Sequence, residues 1–123
     1  MTNYVEGKVI VVTGAASGFG KLVSKKASAM GAKVVAADIN EKALNEAVAE
    51  MQANNAQISA QVTDVTSRQQ VKALAAHAID TFGAIDVMIN NAGIMPLAFY
   101  ADHEQAADAW DRCIDINFKG VLN

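Results

Sequence analysis

The sequence predicts an α/β fold in which helices cover both faces of a parallel sheet. Short apolar runs alternate with amphipathic helical stretches along the whole chain. Most of these runs lack the polar alternation of a half-exposed strand, which is typical of strands buried on both sides. A turn rich in glycine joins the first run to the first helix. We therefore expect the first half of a doubly wound sheet, with strand order 3-2-1-4.

Hydrophobic periodicity sets the predicted elements. The predicted strands cover residues 8–13, 33–37, 57–62 and 85–89. The predicted helices begin near residues 18, 41, 67 and 105. The first of these helices carries Leu22, Val23 and Ala27, and it ends at Gly31. No repeat or linker interrupts the pattern, so residues 1–123 are expected to form part of one domain.

The second and third helices each have a clear apolar face. Their apolar residues are Leu44, Ala47, Val48 and Met51 in one helix and Val71, Leu74, Ala78 and Phe82 in the other. Ser67 and Gln70 have the spacing of a capping box at the start of the third helix, and Gly83 ends it. Residues 57–62 alternate polar and apolar, which predicts a strand at the sheet edge.

Composition and charge exclude several classes of function. The formal net charge is −3 and no basic stripe is present, which argues against a nucleic-acid partner. No apolar run has the length of a membrane span or of a signal-peptide core, so we expect a cytoplasmic protein. The single Cys113 cannot form an internal disulfide, and His77 and His103 lack metal-ligand spacing. A metal site is not expected.

The glycine turn has the chemistry of a phosphate-binding loop. A diphosphate needs backbone N–H groups with no side chain in the way, and a helix N-terminus supplies such donors with a positive dipole end. We expect Gly14 to permit the tight turn, Gly18 the close approach of the ligand, and Gly20 close packing of helix on strand. A turn with only a structural role remains the alternative.

Further motifs follow the glycine turn in a fixed order. After Thr13-Gly14-x-x-x-Gly18-x-Gly20 come Asp38, then Asp64-Val65, then Asn90-Asn91-Ala92-Gly93. The combination resembles the short-chain dehydrogenases/reductases over essentially the whole chain. That resemblance implies a Rossmann-type domain that binds a nicotinamide cofactor for hydride transfer to or from a small alcohol or ketone. The residues it assigns to the cofactor are Gly14, Ser17, Gly18, Phe19, Gly20, Asp38, Ile39, Asp64, Val65, Asn91, Ala92 and Gly93.

Asp38 bears on the choice of cofactor. A carboxylate at the end of the second strand can accept hydrogen bonds from ribose hydroxyls and would repel a 2′-phosphate. Neither Ala15, Ala16 nor Ile39 supplies the basic side chain that relatives selecting NADP often place nearby. NAD is therefore favoured over NADP. The alternative for Asp38 is a strand-end or helix-capping acid.

The remaining assignments also have structural alternatives. By resemblance, Asp64 would bind the adenine amino group beside Val65, and Asn91 to Gly93 would pass under the adenosine ribose. Asp64 could instead be a turn residue before the Ser67 cap. The asparagine-rich stretch could instead tie its loop to the sheet through side-chain amides, and both roles are compatible.

Asn117 matches the asparagine of the family's catalytic Asn-Ser-Tyr-Lys set, where it helps to hold a proton-relaying water. The alternative is a structural asparagine at a helix kink. No Ser, Tyr and Lys of that set are found in the sequence. Tyr4 and Lys8 have the Tyr-x-x-x-Lys spacing, but Gly7 at the entrance to the first strand separates them, so they are not neighbours on a helix.

These absences lead us to expect a truncated first half of the domain that is inactive alone. It would bind NAD weakly or only in an assembled state. The strand at 85–89 would then be an exposed edge, which favours self-association into a homo-oligomer. The alternative function is a non-catalytic module that binds nucleotide or self-associates.

Overall fold

A computed structural model describes residues 4–92 of the chain. Its strands are β1 (Val9–Thr13), β2 (Lys33–Asp38), β3 (Gln57–Val62) and β4 (Val87–Ile89). Its helices are α1 (Gly18–Ala29), α2 (Glu41–Gln52) and α3 (Arg68–Phe82). Each element predicted before residue 93 is present, and the helix predicted near residue 105 lies outside the described residues.

The four strands form one parallel sheet in the order β3-β2-β1-β4, which confirms the predicted topology. Val11 of β1 pairs with Val35 of β2 on one side and with Met88 of β4 on the other. Because the strands are parallel, their carboxyl ends meet at one edge of the sheet. Ligands of open α/β sheets bind at this edge, at the point where the strand order changes direction. Here β2 and β3 lie on one side of β1, and β4 lies on the other.

The sheet is covered on both faces, which explains why β1 and β2 show no polar alternation. On one face Val12 and Val34 belong to a buried cluster with Leu44 of α2. On the other face Val11 and Val35 pack with Leu74 and Ala78 of α3. Consecutive residues of each strand therefore enter different cores.

Helix α1 packs mainly through small side chains; of the three apolar residues predicted for its face, Ala27 is buried, Val23 packs against the core and Leu22 does not. Its buried residues are Gly20, Ser24, Ala27 and Ser28. Leu22 is 45% exposed. Small residues let the helix approach the ends of β1 and β2 closely, which matters for the site described below.

The capping box predicted for α3 is half correct. Ser67 Oγ accepts from the backbone N–H of Gln70 at 3.3 Å, and Gly83 ends the helix with φ +86°. The Gln70 side chain does not return to the Ser67 amide, as a capping box requires. Its Oε1 accepts from Asp64 N at 2.8 Å, while Ser67 N donates to the Asp64 carbonyl at 3.0 Å.

Strand β4 is shorter than the predicted strand at 85–89, and within the described residues it is exposed, as expected of an edge strand. Val87 is 43% exposed and Met88 38% exposed. In residues 4–92, β4 pairs only with β1, and α3 packs on the other three strands. The start of β4 is fixed by Asp86, whose Oδ2 accepts from Val9 N at 2.8 Å and whose N–H donates to Val9 O at 2.9 Å.

Candidate functional site

A cleft of about 410 Å³ lies at the carboxyl ends of the strands. It is lined by Thr13, Gly14, Ser17, Gly18, Phe19, Ala37, Asp38, Ile39, Thr63, Asp64, Val65, Asn91 and Ala92. Most of the residues that the sequence assigned to a cofactor therefore surround one space. Gly20 is not among the lining residues, and Gly93 and Asn117 lie outside the described residues.

The glycines of the turn differ in what surrounds them. Gly14 has φ +67°, and a Cβ there would lie 2.9 Å from Ala92 Cα. A Cβ on Gly20 would lie 2.6 Å from Asn91 Nδ2 and would collide with the Gly14 carbonyl oxygen. Gly18 has φ +57° and no atom within 4 Å of its Cβ position. Gly14 and Gly20 thus serve close packing, while Gly18 leaves open space at the cleft.

The N-terminus of α1 is the one helix start among the described residues without a side-chain cap. Asn40 caps α2 by accepting from Ala43 N at 3.1 Å, and Ser67 caps α3. Ser17, at the N-cap of α1, makes no side-chain cap hydrogen bond, and the first turn holds no acidic residue. The positive end of α1 therefore borders the cleft without a side-chain cap and without an acidic residue in its own first turn.

Asp38 lies where β2 ends, and it makes two backbone contacts. Its Oδ2 accepts from Ala16 N in the glycine turn at 3.1 Å, and its Oδ1 accepts from Asn40 N before α2 at 3.0 Å. The strand-end role considered for Asp38 is thus present, whereas the cap of α2 is Asn40, and the Asp38 carboxylate also lines the cleft. Ile39, beside it, is 52% exposed.

Thr13 organises the loop that follows β4. Its side chain is buried, and its Oγ1 accepts from Asn91 N and Ala92 N, both at 3.1 Å. Asn91 Nδ2 donates to the Gly14 carbonyl at 3.3 Å, so the loop is tied to the glycine turn through a side-chain amide as well. In the sequence, Thr13 is marked only as the first residue of the glycine motif, and that position is the one signal for this role.

Asp64 and Val65 form the wall of the cleft beyond β3. Asp64 Oδ1 accepts from Thr66 N at 3.0 Å and from Thr66 Oγ1 at 2.6 Å. The turn role considered for Asp64 is therefore present. Thr63, which the sequence analysis did not select, is buried and donates its N–H to Asp38 O at 2.9 Å. This bond joins the ends of β2 and β3 under the cleft.

The lining of the cleft carries negative charge and apolar surface. Asp38 and Asp64 are its charged residues, and no lysine or arginine is among the described lining residues. Phe19 is 79% exposed, and Val65 is buried. A ligand in this cleft would meet carboxylate acceptors at the ends of β2 and β3 and backbone donors at the start of α1.

Comparison with known proteins shows the family. The sequence model described as short chain dehydrogenase matches residues 8–123. This chain belongs to the short-chain dehydrogenase family. The earlier resemblance is confirmed, and with it the Rossmann-type fold and the use of a nicotinamide dinucleotide by the family.

Several relatives match nearly the whole chain. A 3-oxoacyl-acyl-carrier-protein reductase of Thermotoga maritima is 38% identical over 119 residues, which are 97% of this chain and 48% of the relative. A 3beta-hydroxysteroid dehydrogenase of Eggerthella lenta is 35% identical over 120 residues, which cover 94% of this chain and 44% of the relative. The chain spans about half the length of the curated relatives it matches.

A solved structure gives the same result for the fold. The short chain dehydrogenase/reductase of Burkholderia phymatum, crystallised in complex with NAD, superposes with a TM-score of 0.90 at 38% identity. The match covers 99% of this chain and 42% of that protein. Within residues 4–92, no helix is long and apolar enough to cross a membrane.

Proposed function

We propose that this chain forms the dinucleotide-binding half of an NAD-dependent oxidoreductase that interconverts an alcohol and a ketone. The observation that carries the proposal is the uncapped N-terminus of α1 at a cleft whose next strand end bears Asp38. One end of the cleft thus suits a diphosphate, and the other suits ribose hydroxyls.

The lining residues fit the parts of NAD. The turn from Gly14 to Gly20, with Ser17, would hold the diphosphate by backbone donors. Asp38 would accept from the adenosine ribose hydroxyls beside Ile39, and Phe19 would cover the mouth of the cleft. Asp64 and Val65 would hold adenine, and Asn91, Ala92 and Gly93 would line the ribose. The open space at Gly18 supports this fit, since no side chain is there to block a ligand.

The bound cofactor supplies the hydride acceptor or donor. Asn117 would help to hold a water that relays protons, as the family's asparagine does. The family's Ser, Tyr and Lys would come from residues outside this sequence, and the substrate would be a small alcohol or ketone. The chain's own part in the reaction is to bind and orient the cofactor.

NAD is proposed over NADP because Asp38 opposes a 2′-phosphate in two ways. Its carboxylate would repel the phosphate, and its Oδ2 already uses the Ala16 amide, a donor that a phosphate would need. Two like charges ~4 Å apart repel by ~1 kcal/mol in water and ~4 kcal/mol near a protein surface. A preference for NAD of about fivefold or more follows, because ~1.4 kcal/mol is a factor of ten.

Isothermal titration of the purified protein with NAD and NADP tests this. The wild type should prefer NAD, and Asp38→Asn should lose most of the preference because it removes the charge at nearly constant size. Asp80→Asn, which removes an exposed charge on α3, should retain the preference. Equal affinities of the wild type for both cofactors would overturn the choice of NAD. Absence of binding to either by the assembled protein would overturn the proposed function.

A second candidate is a non-catalytic module that self-associates. The exposed apolar side chains of Ile85, Val87 and Met88 at the sheet edge favour it, because edge strands of this kind pair readily with another chain. Sedimentation velocity together with NAD titration separates the two. Saturable NAD binding supports the dinucleotide-binding half of the enzyme, whereas a defined homo-oligomer that binds no NAD supports the module.

A further inference from the structure

The start of α3 departs from the usual capping pattern at a residue of the cleft. In a capping box, the side chain at the third helical position returns to the N-cap amide. Here Gln70 Oε1 accepts instead from Asp64 N at 2.8 Å, three residues before the N-cap Ser67. The Ser67 amide is already bonded to the Asp64 carbonyl at 3.0 Å. Both backbone groups of Asp64 are thus fixed to the first turn of α3.

The side chain of Asp64 is fixed by the same segment. Its Oδ1 accepts from both the N–H and the hydroxyl of Thr66, at 3.0 and 2.6 Å. Asp64 therefore has its N–H, its carbonyl and one carboxylate oxygen held by Gln70, Ser67 and Thr66. Asp64 and Val65 line the cleft, whereas Gln70 is not among its lining residues.

We propose that Gln70 is a positioning residue that sets the selectivity of the cleft for adenine by holding the Asp64 backbone. The inference rests on the proposed function, in which Asp64 accepts from the adenine 6-amino group. A hydrogen bond weakens steeply when its angle falls toward ~120°, so the carboxylate must be held in one orientation to select this group. Removal of Gln70 leaves Asp64 N without its acceptor, so that only the bonds from Ser67 and Thr66 hold the turn.

A capping role alone makes a different prediction. A helix cap contributes to the stability of the folded protein and changes the affinity for every ligand of the cleft in the same proportion. A positioning role changes the ratio of affinities for two ligands that differ only at the base. The ratio is also independent of the fraction of protein that is folded, so a destabilised variant still reports on it.

The probes are NAD and nicotinamide hypoxanthine dinucleotide, which carries an oxygen in place of the adenine 6-amino group. Wild-type protein should prefer NAD by about tenfold or more, since hydrogen bonds to charged groups are the strong class. Gln70→Ala should reduce the preference for NAD to about threefold or less. This is the ratio expected when the hydrogen bond to adenine is only as strong as one between uncharged groups. Gln70→Glu keeps an acceptor at the same reach, and it should restore the preference.

Gln69→Ala is the matched control, because Gln69 is the adjacent exposed glutamine of the same helix turn and has no side-chain hydrogen bond among the described residues. It should leave the ratio unchanged. An unchanged ratio in Gln70→Ala, with wild-type protein that binds NAD, would overturn the inference alone. Wild-type protein that binds neither dinucleotide would overturn the proposed function and the inference with it.

Discussion

Replacement of Gly20 by alanine tests whether close packing of α1 on the glycine turn governs this site. Gly20 lies in the first turn of α1, and helix propensity alone predicts that alanine stabilises the protein by ~1 kcal/mol. The structure predicts the opposite sign. The added Cβ would lie 2.6 Å from Asn91 Nδ2 and 2.8 Å from the Gly14 carbonyl carbon, and it would collide with the Gly14 oxygen.

The magnitude follows from three contributions. Overpacking against backbone that cannot move away costs ~1–3 kcal/mol. Displacement of Asn91 also loses its hydrogen bond to Gly14 O, now 3.3 Å long, which contributes ~1 kcal/mol. After the gain of ~1 kcal/mol in helix propensity, the net loss in the free energy of unfolding is ~1–3 kcal/mol. NAD affinity should fall as well, because the turn that would hold the diphosphate is displaced.

Urea unfolding followed by circular dichroism, together with NAD titration, measures both effects. Gly83→Ala is the matched control, since Gly83 has φ +86° but no atom within 4 Å of its Cβ position. It should lose ~1–2 kcal/mol to backbone strain at the end of α3 and keep the wild-type affinity for NAD. A Gly20→Ala variant that is as stable as wild type, or more stable, would refute the argument from close packing.

Two further substitutions test the contacts that hold the sheet ends together. Thr13→Val keeps the shape of the buried side chain but leaves Ala92 N without its acceptor and Asn91 N with only the Ile89 carbonyl, so unfolding should become easier by ~1–3 kcal/mol. Thr13→Ser keeps the hydroxyl and should lose less than half as much in urea unfolding. Asp86→Ala removes the acceptor of the buried Val9 amide and should cost ~1–3 kcal/mol by the same assay, whereas the exposed-surface variant Asp80→Ala should stay near wild type. Equal stability of Thr13→Val and Thr13→Ser, or of Asp86→Ala and Asp80→Ala, would contradict these assignments.

Most of the fold could be predicted from side-chain patterns within single helices and strands. The apolar positions Leu44, Ala47, Val48 and Met51 were enough to define α2, and they are its buried residues. The polar alternation of residues 57–62 placed β3 at the sheet edge, and the structure confirms that position. These features depend on side-chain periodicity within one element, which the sequence records directly.

Contacts between distant segments were the part that periodicity could not predict. Asp86 bonds Val9, and Thr13 bonds Asn91, across most of the described chain. The exposure of Leu22 likewise depends on how closely α1 approaches the sheet, not on its own periodicity. Gln70 satisfied a capping motif in sequence, yet its partner was decided by the competing bond between Ser67 and Asp64.

The residues that line the cleft could be predicted more fully than the hydrogen bonds that join them. Motif residues such as Gly18 and Asp64 were identified from spacing and resemblance, and they line the cleft. The bond from Asp38 to Ala16, which joins the strand end to the glycine turn, depends on the three-dimensional approach of two elements. Ala37 and Thr63 also line the cleft, because they directly precede Asp38 and Asp64 at the strand ends.

The most direct test of the account follows backbone amide chemical shifts of the purified, isotope-labelled protein during titration with NAD. The account predicts saturable shifts at the amides of the glycine turn, Asp38, Asp64 and Asn91, while Asp80 at the far end of α3 stays unchanged. Amides of the cleft that do not respond to NAD, or responses that lie elsewhere on the sheet, would contradict the assignment of this cleft to the cofactor.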